Sequence, residues 1–97
     1  MSPKLDISTQ AVHAGERRGL PHGAPVATPI YATATFTYDT MAEMDKVFAG
    51  ETPGYVYTRY GNPTQAALEE AVRTLEGGAA ACAFGSGMAA LHAALVA

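Results

Sequence analysis

The sequence predicts the opening of an α/β layered fold, and three consecutive features carry that prediction. An amphipathic helix begins at Asn62-Pro63 and stops at Gly77-Gly78. A short apolar run, Ala79–Phe84, follows between glycines and reads as a buried strand. A Gly85-Ser86-Gly87 turn then opens a second apolar helix at Met88. Residues 63–97 read as the start of the layered domain.

In chain order, the first 39 residues hold little regular pattern. Ser8 or Thr9 is placed to cap a short helical turn through Val12, and a Gly/Pro-rich loop, RRGLPHGAPVATP, follows. Ile30–Tyr38, IYATATFTY, is rich in β-branched and aromatic residues and reads as extended. Thr40 with Glu43 fits a capping box, and Met41, Met44, Val47 and Phe48 share one helical face. Gly50 is a natural stop, so Met41–Ala49 reads as a short amphipathic helix. Glu51–Tyr60 reads as a loop or extended segment.

The next helix has the firmest signals. Asn62 suits the cap and Pro63 the first helical position, where its missing N–H costs nothing. Gln65 is placed to reach back to the cap. Leu68, Ala71, Val72 and Leu75 form a stripe expected to be buried, and Glu69 and Arg73 an outer i,i+4 pair. In the last helix Leu91 and Leu95 stack one above the other.

Composition narrows the function classes. With 97 residues the chain is long enough for one small domain. At 48% hydrophobic and 15% charged it is too apolar for a disordered tail and low in charge for a free-standing domain. A net charge of −3 disfavours general nucleic-acid binding. The single cysteine, Cys82, makes no internal disulfide, reads as a small core residue and suits a reducing compartment such as the cytoplasm. No Cys/His spacing suggests a metal site, and His13, His22 and His92 read as structural or surface residues. The Met41/Met44 stripe reads as core or interface. Ala79–Ala97 lacks Asp, Glu, Lys and Arg, yet its alanines and the Gly-Ser-Gly interruption argue against a membrane span. One strand does not make a parallel sheet, so the chain reads as a fragment or as a piece completed by other chains.

Two stretches are candidate anion sites. A tight turn opening a helix presents free backbone N–H groups and the positive end of the helix dipole, so Ser86, Gly87 and Met88 form one candidate. A plain strand-to-helix turn explains the same residues. In YTRYGNPT, Tyr57 and Arg59 lie on one side of an extended segment and can both donate to one anion. A solvated arginine beside a half-buried tyrosine explains that pair too, and taken alone is the simpler reading.

Both stretches together resemble one family. VYTRYGNPTQAALEEAVRTLEGG followed by AFGSGMAAL, with TQAVHAGE and PVATPIYATATF before them, resembles the Cys/Met-metabolism (transsulfuration) family of pyridoxal-phosphate (PLP) enzymes. Its members include cystathionine γ-synthase, cystathionine γ-lyase, methionine γ-lyase and O-acetylhomoserine sulfhydrylase. The resemblance covers nearly the whole chain. It implies a fold-type I (aspartate aminotransferase-like) PLP domain, incomplete here, with pyridoxal 5'-phosphate as cofactor. It implies that Tyr57 and Arg59 bind the cofactor phosphate in a neighbouring subunit of a homo-oligomer. It implies that Gly87 and Met88, with Ser86, bind the phosphate in their own subunit. Gly85 departs from the serine often found there, at little cost where backbone does the binding.

The resemblance also shows what lies outside these residues. The lysine that carries the cofactor as a Schiff base is far downstream in the family, and Lys4 and Lys46 lie in no matching motif. No catalytic residue is assigned within this chain, which alone is expected to be inactive. Val56 stands where cystathionine-handling relatives often carry an acidic residue. That favours L-methionine or an O-acyl homoserine as substrate over cystathionine. Two other classes stand as alternatives: a non-enzymatic interaction module, and a nucleotide-binding domain resting on the Gly-Ser-Gly turn alone.

Overall fold

The computed structural model describes residues 5–15, 23 and 25–97. They form four helices, α1 (Ile7–His13), α2 (Met41–Phe48), α3 (Pro63–Glu76) and α4 (Gly87–Val96), with one isolated antiparallel bridge between Thr35 and Tyr57. The chain divides into two compact units, Met1–Glu16 with Ala67–Ala97, and Arg17–Ala66. Most of the Gly/Pro-rich loop, including His22, lies outside the described residues, as does Lys4.

In the Arg17–Ala66 unit, α2 forms as its caps dictate. The Thr40 hydroxyl accepts from Glu43 N–H, and the Glu43 carboxylate accepts from Thr40 N–H, so the capping box closes on both sides. At the other end Gly50 takes a φ of +76°, and the N–H groups of Gly50 and Glu51 reach back to the carbonyls of Val47 and Lys46. That is the Schellman arrangement, which needs the left-handed residue that glycine supplies without strain. The extended segment pairs at one point. Phe36 N–H donates to Val56 O at 3.0 Å and Thr58 N–H to Ala34 O at 2.8 Å. Around it Phe36 packs on Tyr55 and Phe48 meets Tyr60 edge-on.

In the other unit, α1 corrects the cap assignment. Asp6, not Ser8 or Thr9, is the N-cap, and its carboxylate accepts from both the N–H and the hydroxyl of Ser8. A carboxylate accepts more strongly than a hydroxyl, so Ser8 becomes a donor to the cap and the helix starts at Ile7, ahead of both expected caps. After the helix, Gly15, at φ +85°, lies hard against the Ala67 carbonyl, where no Cβ fits. The Ser8 hydroxyl and then its N–H hold the Asp6 carboxyl below the ordinary carboxylate range. A folded-state pKa that is depressed stabilises above the unfolded value and is lost as pH falls through the folded one. The α1 cap is therefore expected to persist at neutral pH and release in acid. The Ser8 amide resonance and its exchange rate, followed down the pH scale, check this. An Asp6→Asn chain should show no acid-linked step.

The end of α3 matches its signals. Gly77 takes φ +66°, with Gly77 N–H on Thr74 O and Gly78 N–H on Arg73 O. Expectations for the side chains of this helix fail at the Arg73 pair and at the apolar stripe. Arg73 pairs with Glu70, its Nη2 and Nε donating to the two carboxylate oxygens at 2.7 and 2.8 Å, rather than with Glu69. That pair holds the Glu70 carboxyl below its usual range and raises Arg73. Glu69 turns instead to accept from Ala83 N–H at 3.2 Å. The stripe expected to be buried is open, with Leu68, Val72 and Leu75 at 56%, 45% and 39% exposure.

Ala79–Phe84 forms no strand, and Cys82 is exposed rather than a core residue. The reason is physical. A strand is completed by hydrogen bonds to a neighbour, and among the described residues no second strand lies beside this one. The segment lies along α3 instead, with a groove of about 190 Å³ lined by Leu68, Glu69, Val72 and Ala81 to Phe84. The α/β expectation thus appears as helices plus one bridge. Among the described residues the buried set is Asn62 and Pro63, with no aliphatic or aromatic core. No helix among them is long and apolar enough to cross a membrane.

Candidate functional site

The Tyr57–Arg59 stretch is built on a turn. Tyr57 ends the bridge with Thr35, and its carbonyl then accepts from Tyr60 N–H at 2.9 Å and Gly61 N–H at 3.2 Å. The expected extended geometry is therefore corrected: residues 58–60 are turn. These hydrogen bonds to one carbonyl fold the chain back so that α3 can start at Pro63. The two side chains still meet. The Arg59 guanidinium carbon lies 5.3 Å from the centre of the Tyr57 ring, a cation–π contact. Arg59 has no ion pair or hydrogen bond among the described residues, and its side chain is exposed. All five of its N–H donors are available to an anion.

Asn62 fixes the base of this turn, and the sequence reading foresaw only part of its role. Its Oδ1 accepts from Thr64 N–H at 2.8 Å, which is the expected cap of α3. The two N–H groups of its Nδ2 are shared among three acceptors, the carbonyls of Tyr31 and Thr33 at 3.2 and 3.3 Å and the Thr58 hydroxyl at 3.3 Å. Thr64 adds a bond from Tyr31 N–H to its hydroxyl at 2.8 Å. Gln65, expected to reach back to the cap, is exposed and does not do so. The signal that was present is the cap itself, Asn62 before Pro63. The long-range partners, about thirty residues earlier, leave no local mark.

Val56, immediately before Tyr57, is half-buried. It lines a groove of about 460 Å³ with Val47, Phe48, Tyr55 and Tyr60. No acidic side chain lines that groove.

The second donor set is at the start of α4. Ser86 is its N-cap, with its Oγ accepting from Ala89 N–H at 3.1 Å, and Ala90 N–H returns to Ser86 O. That leaves the N–H groups of Gly87 and Met88 without a hydrogen bond among the described residues, and the Ser86 hydroxyl with its own proton to donate. A Cβ on Gly85 or Gly87 would meet open space. Two free N–H groups, one hydroxyl and unobstructed backbone at a helix start form a donor set suited to a phosphate group. Tyr57 with Arg59, and Ser86 with Gly87 and Met88, belong to different units, and each is a donor set in its own right.

A family model described as "Cys/Met metabolism PLP-dependent enzyme" matches residues 8–97. The chain is 45% identical over 92 residues to an L-methionine gamma-lyase of Fusobacterium nucleatum subsp. polymorphum, covering 95% of this chain and 23% of that protein. It is 45% identical over 85 residues to the homocysteine/cysteine synthase of Saccharomyces cerevisiae, covering 87% and 19%. Among solved structures, metB from Corynebacterium glutamicum is 42% identical with a TM-score of 0.74, covering 91% of this chain and 21% of that one. Cystathionine gamma-lyase from Lactobacillus plantarum, complexed with L-serine, is 33% identical with a TM-score of 0.75, covering 95% and 22%. The chain spans less than a quarter of the length of these relatives.

Proposed function

We propose, because the chain belongs to the Cys/Met-metabolism family of PLP-dependent enzymes, that it is the N-terminal part of an enzyme acting on sulfur amino acids or O-acyl homoserines. The reaction is γ-elimination or γ-replacement, breaking or making a bond at Cγ. In this reading residues 1–62 are an arm and interface segment, and 63–97 begin a fold-type I cofactor domain whose α/β sheet is completed outside these residues. The protein works as a cytoplasmic homo-oligomer.

The observation that carries the reading is Arg59, exposed, without a counter-ion among the described residues and laid over the Tyr57 ring. A cation held by cation–π contact alone is poised for an anion from elsewhere. Tyr57 and Arg59 bind the cofactor phosphate in a neighbouring subunit. Gly87 and Met88 bind it in their own subunit through backbone N–H, with Ser86 adding its hydroxyl. The open backbone at Gly85 and Gly87 fits that approach. When bound, pyridoxal phosphate supplies an electron sink for the amino-acid substrate. The residues of this chain hold and orient it, and contribute no proton-transfer group of their own. The stretch 1–97 alone is expected to be inactive, since neither of its lysines stands in a cofactor-holding motif.

The apolar Val56 favours methionine γ-lyase or O-acetylhomoserine sulfhydrylase chemistry over cystathionine γ-synthase or γ-lyase. A substrate ending in an ammonium group would find no carboxylate in the groove beside it. The full-length protein is expected to release thiol from L-methionine, or to convert O-acetyl-L-homoserine with sulfide, at least ~10-fold more efficiently than it cleaves L-cystathionine. Preference for cystathionine overturns the substrate assignment. Absence of bound pyridoxal phosphate in the purified protein overturns the whole reading.

A further inference from the structure

We infer that Thr58 and Asn62 form a positioning pair that sets the aim of Tyr57 and Arg59. The inference rests on the phosphate-binding role proposed for those two residues and adds residues that do not touch the cofactor.

The argument starts from what holds the turn. Neither the Tyr57 hydroxyl nor the Arg59 guanidinium is hydrogen-bonded among the described residues, so neither side chain anchors itself. Their directions follow from the backbone of residues 57–61. Thr58 lies between them, and its hydroxyl is used in both senses. It donates to Thr33 O at 2.7 Å and accepts from Asn62 Nδ2 at 3.3 Å. Asn62, 5% exposed, is the one buried polar side chain among the described residues. Its amide also holds the carbonyls of Tyr31 and Thr33, and its oxygen holds the first turn of α3. One amide group thus ties the extended segment, the turn and the helix start into a single polar network. The threonine that alternates with the two anion-binding side chains is its outer member.

These bonds close on one another around a buried amide, and polar networks of that kind fix geometry as well as stability. A phosphate bound by a forked guanidinium is sensitive to its placement, since ångström-scale misplacement of a binding group costs up to ~100-fold in well-oriented sites. Removing the Thr58 hydroxyl leaves Arg59 and Tyr57 chemically intact and frees the turn that carries them. The loss should therefore appear in recognition of the phosphate, and not in recognition of the pyridine ring.

The test is a double-mutant cycle in the full-length holoenzyme, reading dissociation constants for pyridoxal phosphate and for pyridoxal, which lacks the phosphate. Thr58→Val is expected to weaken pyridoxal phosphate ~10-fold while leaving pyridoxal unchanged. Thr58→Ser should restore the wild-type value, and Asn62→Asp, which keeps the cap oxygen but removes the donor, should resemble Thr58→Val. Added to Arg59→Ala, Thr58→Val should cost clearly less than in the wild-type background, because its action through Arg59 is gone and only that through Tyr57 remains. The positioning role is overturned if Thr58→Val leaves both affinities unchanged, weakens both alike, or costs as much with Arg59 absent as with it present. If Arg59→Ala itself leaves pyridoxal phosphate affinity unchanged, the phosphate-binding role falls, and the inference falls with it.

Discussion

Replacing Arg59 by alanine in the full-length enzyme is expected to weaken retention of pyridoxal phosphate about 100-fold. The size follows from what is removed. A charge-assisted hydrogen bond contributes about 1.5–3 kcal/mol, and a forked guanidinium makes two to one phosphate. Taking back part of that for solvation leaves about 3 kcal/mol, which is roughly two decades in affinity. No other cation of the described chain is paired with the Tyr57 ring, so nothing nearby replaces it. Arg59→Lys keeps the charge but not the fork, and should recover about half of the loss in free energy. Tyr57→Phe keeps the ring beneath Arg59 and loses the hydroxyl, so its cost should be nearer tenfold. Inorganic phosphate should compete with the cofactor in the wild type and much less in Arg59→Ala. Equilibrium dialysis of the reconstituted apoenzyme reads all three variants. Unchanged affinity in Arg59→Ala removes the assignment of this pair to the phosphate.

The sequence was informative wherever a structural outcome is decided within a few residues. Thr40 and Glu43 close their box, Gly50 and Gly77 take the left-handed conformation, and Asn62-Pro63 starts a helix. Each of these is a local contest between a side chain and the backbone groups beside it. Even there a stronger competitor can stand one position away. The Asp6 carboxylate takes the cap that Ser8 was placed to take, and Glu70 takes Arg73 from Glu69. The second exchange reflects Glu69 being drawn to the Ala83 N–H, a partner fourteen residues on.

What was not legible depends on distant neighbours. Apolarity and the flanking glycines mark Ala79–Phe84 as something that a sheet would accept, but a strand exists only when paired. The stripe Leu68, Val72 and Leu75 marks a face fit for burial, and burial needs a second surface. Among the described residues no second surface covers that face, and Leu68, Val72 and Leu75 stay open. The same reasoning applies to the site. Tyr57 and Arg59 stand out in the sequence as candidates because anion chemistry is written in residue type. That residues 58–60 turn, and that Asn62 reaches Tyr31 and Thr33, is set by the antiparallel bridge at Thr35, which no local pattern announces.

Asn62→Ala is expected to be the most destabilising single change in this region, at about 2–4 kcal/mol. Loss of the α3 cap accounts for about 1 kcal/mol of it. The remainder comes from the Tyr31 and Thr33 carbonyls and the Thr58 hydroxyl, which lose a shared donor in a site that is 5% exposed. Asn62→Ser separates the two parts. Serine is a good cap and can serve Thr64 N–H, but it is too short to span to the earlier carbonyls, so it should recover about 1 kcal/mol and no more. Urea titration of the full-length apoenzyme measures this, provided that the midpoint moves at constant slope. If alanine and serine are equally costly, the cap contributes nothing and the distant carbonyls account for the whole effect. If both are within about 0.5 kcal/mol of wild type, the network has no energetic weight. The extended segment, the turn and α3 would then be held together by packing around Phe36, Tyr55 and Pro63 instead.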